Sequence, residues 1–411
     1  MWCVVPADVV RRTRGCVVSN AIEALFIPGM GVGIVAYTHI PKDTLVFQAG
    51  HDVWYPFSAE HALETAQQKA PGFLKQWNQL LESNKALSDT SRFVLSAIVL
   101  GVHMLVHFPH AKDPNATLKT IANNNLKSYK GARKRAESCS MESASIRRFT
   151  STFSATTIKF VNPKAFFWAI SILMSRATSG RNQPFTLVPL FDCFNHADHD
   201  ECVQEFDPQK GFTIHTTKSY KPGEQLFISY GNHGNLRLLR NYGFTTPDNP
   251  YDVVNLPMPI PLQQPNPADL AFSQKRELLL SAAGSQADVP ALRSLTIQHD
   301  GSLGLNAEHW LAIMLATPDE LSDIFTQATM QPAAGADILP SLRLPSSLVR
   351  KASAEVRNVV TRRMKQHCST FEEDDTFLRT NEQKMAPWLR SCLHLRMGEK
   401  QMLMRAAAKY S

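Results

Sequence analysis

The polar side chains of Asn195, His196 and Tyr230 stand at the ends of two apolar runs, where a folded chain can present groups that bind or react. Asn carries both a hydrogen-bond donor and an acceptor, so Asn195 suits recognition of an adenine edge or of a backbone. Tyr230 offers a phenolic hydroxyl just after the apolar residues 226–228. We therefore expect the function to lie where these two stretches meet.

A turn and two short strands are predicted to position these groups. Pro222 and Gly223 favour a turn in which the glycine takes a positive φ, and residues 226–228 follow with the pattern of a buried strand. Residues 187–191 form another apolar run, which predicts a second strand. Asn195 and His196 follow it, where the backbone is expected to turn away from the sheet.

A glycine-rich segment near the start of the chain leads into a further strand. Gly29, Gly31 and Gly33 precede the apolar residues 34–36, and residues 40–47 continue as a turn and a strand. Glycines let a ligand approach the backbone closely, although a hairpin or a bulge is the commoner reason for this spacing. The segment is not a dinucleotide-binding fingerprint, because no helix follows it.

A cation is predicted to lie close to the same stretches. Asn162 and Pro163 are the cap and first residue of a predicted helix that ends at Arg176. Arg176 therefore comes just before the strand that leads to Asn195 and His196, where a fixed guanidinium could meet a ligand carboxylate.

The composition limits the classes of partner and compartment. The 411 residues include 43 Lys+Arg and 36 Asp+Glu, and the resulting charge of +7 is spread along the chain. Such a balance permits an acidic partner without requiring one, and nucleic acid is not the expected partner. Seven scattered cysteines without a secretory leader indicate reduced thiols and a cytoplasmic or nuclear location. A short organellar leader around Arg11, Arg12 and Arg14 stays open.

The chain consists of stretches with different sequence patterns. Residues 58–108 are helical in pattern, and their most apolar part is shorter than the ~20 residues a bilayer needs, so no membrane span is expected. Residues 111–148 are polar, basic and of low complexity, which predicts a mobile, disordered loop.

A proline-dense linker at residues 246–267 predicts a domain boundary near residue 265, and the pattern beyond it is helical. Residues 317–320 there predict a capping box.

In combination, four segments resemble the motifs of a SET-domain protein methyltransferase of the Rubisco large-subunit-methyltransferase-like branch. They are residues 31–36, 167–177, 187–196 and 222–231, and residues 370–378 and 396–403 resemble the rear of that family. The resemblance implies an α+β fold: a SET-domain β-fold of short strands with a helical insert, followed by an all-α C-terminal domain. The SET domain would span residues 20–265, with the insert at about 58–160, and the substrate-binding helical domain would span residues 266–411.

The resemblance also implies roles for individual residues. Tyr230 takes the catalytic position, and Asp192 and Tyr242 fall where the family lines its substrate channel. Six positions are implied to hold S-adenosyl-L-methionine, three through the backbone and three through side chains: Met30, Gly31, Val32, Arg176, Asn195 and His196. The expected protein is a monomer that methylates a side-chain nitrogen of a protein substrate, without a metal.

The target residue is predicted from two departures. Relatives that modify histidine tend to have Trp before the Asp of the Asn-His motif and Asn two residues after the arginine. Here Phe191 and Thr178 stand at those positions, which favours lysine over histidine.

Two alternatives stay open at this point. Cys193, His196, His199 and Cys202 carry the ligand types of a tetrahedral zinc site, but their regular spacing of three is unusual for zinc. The second alternative is a catalytically silent SET-fold module that binds a protein partner. The presence of Asn195, His196 and Tyr230 together argues against it.

Overall fold

The structure is a computed structural model, which describes residues 15–69, 172–180, 183–198, 202–257, 275, 294–304, 307–329, 343–381 and 384–411. The chain forms two compact units. The first consists of Met1–Asn232 and Arg240–Gly243, and the second of His233–Leu239 and Phe244–Ser411. The predictions of a disordered loop at residues 111–148 and of most of the helical insert lie outside the described residues. The boundary near residue 265 stays a prediction.

One four-stranded sheet of the first unit consists of β1 (Cys16–Val18), β4 (Leu45–Ala49), β9 (Gly211–Thr216) and β8 (Cys202–Asp207), in that order. All three strand pairs are antiparallel. The register of β4 on β9 shifts between Leu45 and Phe47. One face of this sheet contributes Phe47, Phe212 and Ile214 to the core, each at most 1% exposed.

The other four-stranded sheet brings the predicted functional stretches together. It contains β2 (Ile22–Ile27), β3 (Gly31–Ala36), β10 (Gln225–Ile228) and β7 (Asn195–His196), in that order. Strand β10 runs antiparallel to β3 and parallel to β7. Because β10 lies between them, residues from the glycine-rich segment and from the Asn-His pair flank the same short strand.

The turn before β10 forms as predicted. Gly223 has φ +87°, its N–H donates to the Ala36 carbonyl at 2.8 Å, and the Glu224 N–H donates to the Lys221 carbonyl at 3.1 Å. The Glu224 carboxylate also accepts the Lys221 N–H at 2.8 Å. A left-handed conformation suits glycine, so Gly223 lets the chain reverse and deliver β10 against β3.

The prediction of a strand at residues 187–191 is wrong. The strand is β6 (Gln183–Thr186), which pairs with β5 (Thr178–Gly180), and Phe191–Cys193 is a 3₁₀ turn. Pro189 has no N–H for a ladder, and Leu190 takes φ +71°, which no strand adopts. The run is apolar because it is buried. The chain then rejoins a sheet at Asn195 and His196, where it was expected to leave one.

Helices of the first unit include α1 (His51–Trp54), α2 (Ala59–Lys69) and a segment at residues 172–176 that ends at Arg176 as predicted. Ser58 is the N-cap of α2. Its hydroxyl accepts the His61 N–H at 3.1 Å, which satisfies one of the unpaired donors of the first turn.

The second unit is mostly helical. A helix over Asn235–Asn241 (α3) begins in it, and an antiparallel pair joins β11 (Val253–Pro257) to β12 (Ser294–Gln298). The long helices follow: α4 (Ala307–Leu315), α5 (Pro318–Thr329), α6 (Ser346–Met364), α7 (Phe371–Asn381) and α8 (Pro387–Lys409). The α+β class is confirmed, but β12 is a strand within the range predicted to be entirely helical. Leu295 and Ile297 alternate into the core, which is the period of a strand.

Two capping boxes define helix starts in this unit. The Thr317 hydroxyl accepts the Glu320 N–H at 3.4 Å, and the Glu320 carboxylate accepts the Thr317 N–H at 2.9 Å, which confirms the predicted box before α5. Thr370 and Glu373 make the same exchange at α7. In the part of the chain that the structure describes, no helix is both long enough and apolar enough to cross a bilayer.

Candidate active site

The glycine-rich segment forms the tip of the hairpin between β2 and β3. Gly29 and Gly31 have φ +81° and +86°, and the Met30 N–H donates to the Ile27 carbonyl at 3.1 Å. Apart from the adjoining residues, no heavy atom lies within 4 Å of the place where a side chain would begin at Gly29 or Gly31. The backbone of this tip is therefore open to a ligand, and the Met30 side chain is 48% exposed beside it.

The side chain of Asn195 is connected to this hairpin by the side-chain amide of Gln225. Its Nδ2 donates to Gln225 Oε1 at 2.7 Å, and Gln225 Nε2 lies 3.6 Å from Met30 Sδ. A Cβ added at Gly33 would lie 2.8 Å from Asn195 Nδ2 and closer still to Gln225 Oε1. The absence of a side chain at Gly33 thus lets the two amides meet over β3.

His196 supports Tyr230. Its Nδ1 accepts the Tyr230 N–H at 3.1 Å, and its Nε2 lies 3.3 Å from Asp198 Oδ1. Because Nδ1 accepts, the proton of the neutral ring belongs on Nε2, toward the carboxylate. Burial lowers the pKa of His196 and outweighs the opposing effect of Asp198. The ring is therefore neutral at physiological pH and fixes the backbone of Tyr230.

The Tyr230 hydroxyl donates to the Phe194 carbonyl at 2.8 Å. Burial raises the pKa of this phenol, while Arg176 opposes that rise. A phenol with a raised pKa stays protonated at neutral pH, so Tyr230 presents a fixed hydroxyl and no phenolate. The Phe194 carbonyl and the hydroxyl together form a small polar feature among aromatic rings.

Tyr242 completes an aromatic wall. The Tyr242 and Tyr230 ring centroids lie 4.8 Å apart, and those of Tyr230 and His196 lie 5.1 Å apart. Aromatic faces attract cations and polarised C–H groups. This row of three rings can therefore line a channel for an amine.

Arg176 and Asp192 meet beside this wall. Arg176 Nη1 donates to the Asp192 carbonyl at 2.8 Å and to its carboxylate at 3.1 Å. Their side chains are 30% and 14% exposed. The guanidinium of Arg176 is thus held by both the backbone and the side chain of Asp192.

The residues of this site lie in a segment that matches a known domain family. Residues 31–231 match the SET domain, a range that holds the hairpin strand β3, Arg176, the Asn-His pair and Tyr230. Residues 31–231 of this chain are a SET domain. Relatives named as lysine N-methyltransferases and relatives named as histidine N-methyltransferases are both similar to this chain.

Two such relatives illustrate this. The ribosomal lysine N-methyltransferase set10 of Schizosaccharomyces pombe is 33% identical over 104 residues, which cover 23% of this chain and 19% of that protein. The actin-histidine N-methyltransferase of Canis lupus familiaris is 24% identical over 266 residues, covering 58% of this chain and 40% of that protein. The matches thus span less than half the length of these curated relatives.

Solved structures of Rubisco LSMT share the SET fold with this chain. The structure bound to AdoMet aligns with a TM-score of 0.61 at 19% identity, covering 96% of this chain and 88% of that one. The SET domain of LSMT bound to lysine and AdoHcy aligns with a TM-score of 0.59 at 19% identity, over the same shares of the two chains. At such identities the likeness is one of fold.

The alternative zinc site is only partly described in this SET domain. Cys193 Sγ lies 3.8 Å from Asp192 Oδ1, and Cys202 Sγ lies 3.5 Å from the Tyr220 hydroxyl. His199 lies outside the described residues. Among the residues described, no group of three or more His, Cys, Asp and Glu side chains is placed to hold a metal ion.

The sequence predicts no role for three features of the candidate site. They are the side chains of Gln225 and Asp198 and the Phe194 carbonyl, which carries no side-chain signal at all. The signal for Gln225 is its place at the first position of β10. A polar residue at the start of an otherwise apolar strand indicates that its side chain has a hydrogen-bonding partner.

Phe191 and Thr178, the two residues that favour lysine as the target, each have defined contacts in the structure. Phe191 is 5% exposed, and its ring centroid lies 6.1 Å from that of Phe47 and 5.7 Å from that of Phe212. The Thr178 hydroxyl donates to the Thr186 carbonyl at 3.4 Å. Phe191 therefore also serves the core of the SET domain.

Proposed function

We propose that this chain is an S-adenosylmethionine-dependent protein methyltransferase that methylates a side-chain nitrogen, and that the nitrogen belongs to lysine. The observation that carries the proposal is the arrangement around Tyr230. Its hydroxyl is bonded to the Phe194 carbonyl, its N–H is held by His196, and its ring lies beside Tyr242. These contacts place a hydroxyl and a carbonyl among aromatic rings, next to strand β7, which contains Asn195.

The residues of the hairpin and of β7 fit the cofactor. Gly29 and Gly31 expose backbone without side-chain cover, and the Asn195 amide beside them can donate and accept. Arg176 is a cation suited to a carboxylate. When bound, S-adenosylmethionine supplies an electrophilic methyl group on a sulfonium.

The residues of the chain contribute position. The amine must arrive neutral, because its lone pair would form the bond to the methyl group that the cofactor would supply, and the electron pair of the broken C–S bond would stay on sulfur. The Phe194 carbonyl can accept an amine N–H, and the Tyr230 hydroxyl and the rings of Tyr230 and Tyr242 can orient the approach. Alignment of two reactants contributes a large part of such rate enhancements.

Lysine is supported by two kinds of observation. Phe191 and Thr178 depart from the pattern of relatives that modify histidine. A buried neutral phenol and a carbonyl also suit an aliphatic amine, which needs acceptors for its N–H groups. Histidine is the competing outcome, because an actin-histidine N-methyltransferase is among the relatives.

The first experiment separates catalysis from binding. Tyr230→Phe should lose most single-turnover methyl transfer while its calorimetric affinity for S-adenosylmethionine stays near the wild-type value, because only the hydroxyl at the reacting centre is removed. Asn195→Ala should mainly lose affinity. Wild-type transfer by Tyr230→Phe would contradict the catalytic assignment and favour a silent module that binds a protein.

The second experiment identifies the target. The protein is incubated with labelled S-adenosylmethionine and a cell extract, and the labelled band is digested and sequenced by mass spectrometry. Label on lysine supports the proposal. Label on histidine keeps the methyltransferase and overturns the choice of residue, and no label in any protein counts against both.

A further inference from the structure

Gln225 joins the two sides of the candidate cofactor site. It is the first residue of β10, the strand that lies between β3 and β7. Its Oε1 accepts a hydrogen bond from Asn195 Nδ2 at 2.7 Å, on the β7 side. Its Nε2 lies 3.6 Å from Met30 Sδ, at the tip of the hairpin that β3 begins. One side chain therefore contacts both flanking segments.

The contact fixes which way two amides point. Because Gln225 Oε1 accepts, its Nε2 must face Met30, and the Asn195 amide must present Nδ2 to Gln225. Among the described residues, none donates to Asn195 Oδ1, so that oxygen and the second Nδ2 hydrogen are left for a ligand. An unrestrained Asn amide could equally present the opposite pattern, because its two ends have nearly the same shape.

Gly33 leaves the space for this contact. A Cβ at this position would lie 2.8 Å from Asn195 Nδ2, closer than real Cβ contacts come, and it would also strike Gln225 Oε1. The φ of Gly33 is not in the left-handed region, so the need for glycine here is steric. The three residues from three neighbouring strands thus form one interlocked group.

We propose that Gln225 is a positioning residue that sets the orientation of the Asn195 amide before the cofactor binds. The inference rests on the proposed function, since it assigns the binding of the cofactor to Asn195. Gln225 acts through Asn195 and does not touch the reacting atoms. Its loss should therefore weaken cofactor binding and leave turnover at saturating cofactor nearly unchanged.

The test uses titration calorimetry with S-adenosylhomocysteine, which binds without reacting. Gln225→Met keeps the length of the side chain and removes its acceptor, and we expect the Kd to rise about tenfold, as for the loss of roughly one hydrogen bond. Gln225→Glu keeps the acceptor for Asn195, and its Kd should stay within about threefold of wild type. Gln48→Met is the matched control, because Gln48 bonds the Lys210 carbonyl on the other sheet.

A double-mutant cycle decides whether Gln225 acts through Asn195. In an Asn195→Ala background, Gln225→Met should cause no further loss of affinity, because the amide that it orients is gone. For kcat at saturating cofactor we expect Gln225→Met to remain within about twofold of wild type. Additive losses, an unchanged Kd for Gln225→Met, or an equal loss in Gln225→Glu would each overturn the proposal.

Failure of the proposed function has a different signature. A wild-type protein that binds neither S-adenosylmethionine nor S-adenosylhomocysteine contradicts the function itself. The contact is then still measurable, because Gln225→Met should shift the side-chain amide resonances of Asn195 in a ¹⁵N spectrum of the free protein, whereas Gln48→Met should not. If Gln225→Met does not fold, Gln225→Glu and the Asn195 resonances decide the outcome.

Discussion

At the scale of the residue, the chemistry of this SET domain depends on side chains whose protonation and orientation are fixed by neighbours. Tyr230 is bonded through its hydroxyl and its N–H, and both contacts come from residues 194 and 196. Phe194 and His196 come directly before and after Asn195 in sequence. The groups proposed to bind the cofactor and to orient the substrate are consequently coupled within three consecutive residues.

The phenol of Tyr230 gives a prediction on pH. Its pKa is raised by burial in the folded protein above the ordinary value of about 10, so the stability it contributes is fully present below pH ~10 and is lost as the pH rises toward the folded pKa. Urea unfolding should therefore show a free energy of unfolding that falls above pH ~10, with a shallower fall in Tyr230→Phe. The same slope in both proteins would show that this phenol is solvated.

Gly33 gives a second prediction. Gly33→Ala should destabilise the protein by about 1–3 kcal/mol, as overpacking does, and should weaken S-adenosylhomocysteine binding because its methyl group displaces the two amides. Gly223→Ala is the control. The φ of +87° at Gly223 disfavours alanine, but no heavy atom outside the adjoining residues lies within 4 Å of the added Cβ. This variant should lose stability, by about 1–2 kcal/mol, without losing affinity. Thermal melts and calorimetry would measure both, and an unaffected Gly33→Ala would contradict the packing.

At the scale of the element, the start of α7 is joined to α8 by buried charges. The Asp374 carboxylate is 2% exposed, and it accepts from Lys400 at 2.6 Å, from Arg396 at 2.5 and 2.8 Å and from Ser369 at 2.8 Å. Lys400 is 4% exposed and also donates to the Thr370 carbonyl at 2.9 Å. Burial raises the pKa of Asp374, but the hydrogen bonds from Lys400, Arg396 and Ser369 outweigh it and hold the pKa below its ordinary value.

Removing one member of this cluster should be costly. Lys400→Met leaves a buried carboxylate with fewer donors, and we expect a loss of about 3 kcal/mol in the free energy of unfolding at pH 7. Because the folded pKa of Asp374 is depressed, its contribution is present above pH ~4 and disappears as the pH falls through the folded value. The deficit of Lys400→Met should therefore shrink in urea titrations below pH ~4. Lys409→Met, at an exposed pair with Asp300, is the control and should change little.

At the scale of the whole molecule, the chain forms two units with separate hydrophobic cores. The first contains every residue assigned to the candidate site, including Tyr242. The second is built on the β11–β12 pair and helices α4, α6 and α8, whose buried side chains form one cluster. Each unit thus has the core that a folded domain requires.

Binding of the cofactor should be visible as a change in stability of the whole protein. S-adenosylmethionine at ~100 times its Kd should stabilise the folded state by roughly 2.7 kcal/mol, because it binds the native state alone. The melting temperature should therefore rise without added metal, and it should rise less in Asn195→Ala. A shift with zinc and none with S-adenosylmethionine would favour the site at Cys193, His196, His199 and Cys202.

The sequence by itself determined the features that depend on neighbouring residues. Pro222 and Gly223 specify a turn, Ser58 and Thr317 specify helix starts, and the apolar residues after Gly223 specify a short buried strand. Backbone preferences and local hydrogen bonds decide these elements, so a few adjacent residues suffice. The combination of motifs around Asn195 and Tyr230 likewise indicated the family.

Only the tertiary structure decided which residues meet. Residues 187–191 have the apolarity of a strand, yet Leu190 takes a left-handed φ and the run packs into the core without a ladder. Asn195 and Gln225 are 30 positions apart, and their hydrogen bond exists because β7 pairs in parallel with β10 in one register. A shift of one residue would turn every side chain of a strand to the other face, and no local pattern encodes the partner strand. Register across the sheet, set by the packing of the whole core, therefore placed the side-chain amides of Asn195 and Gln225 together.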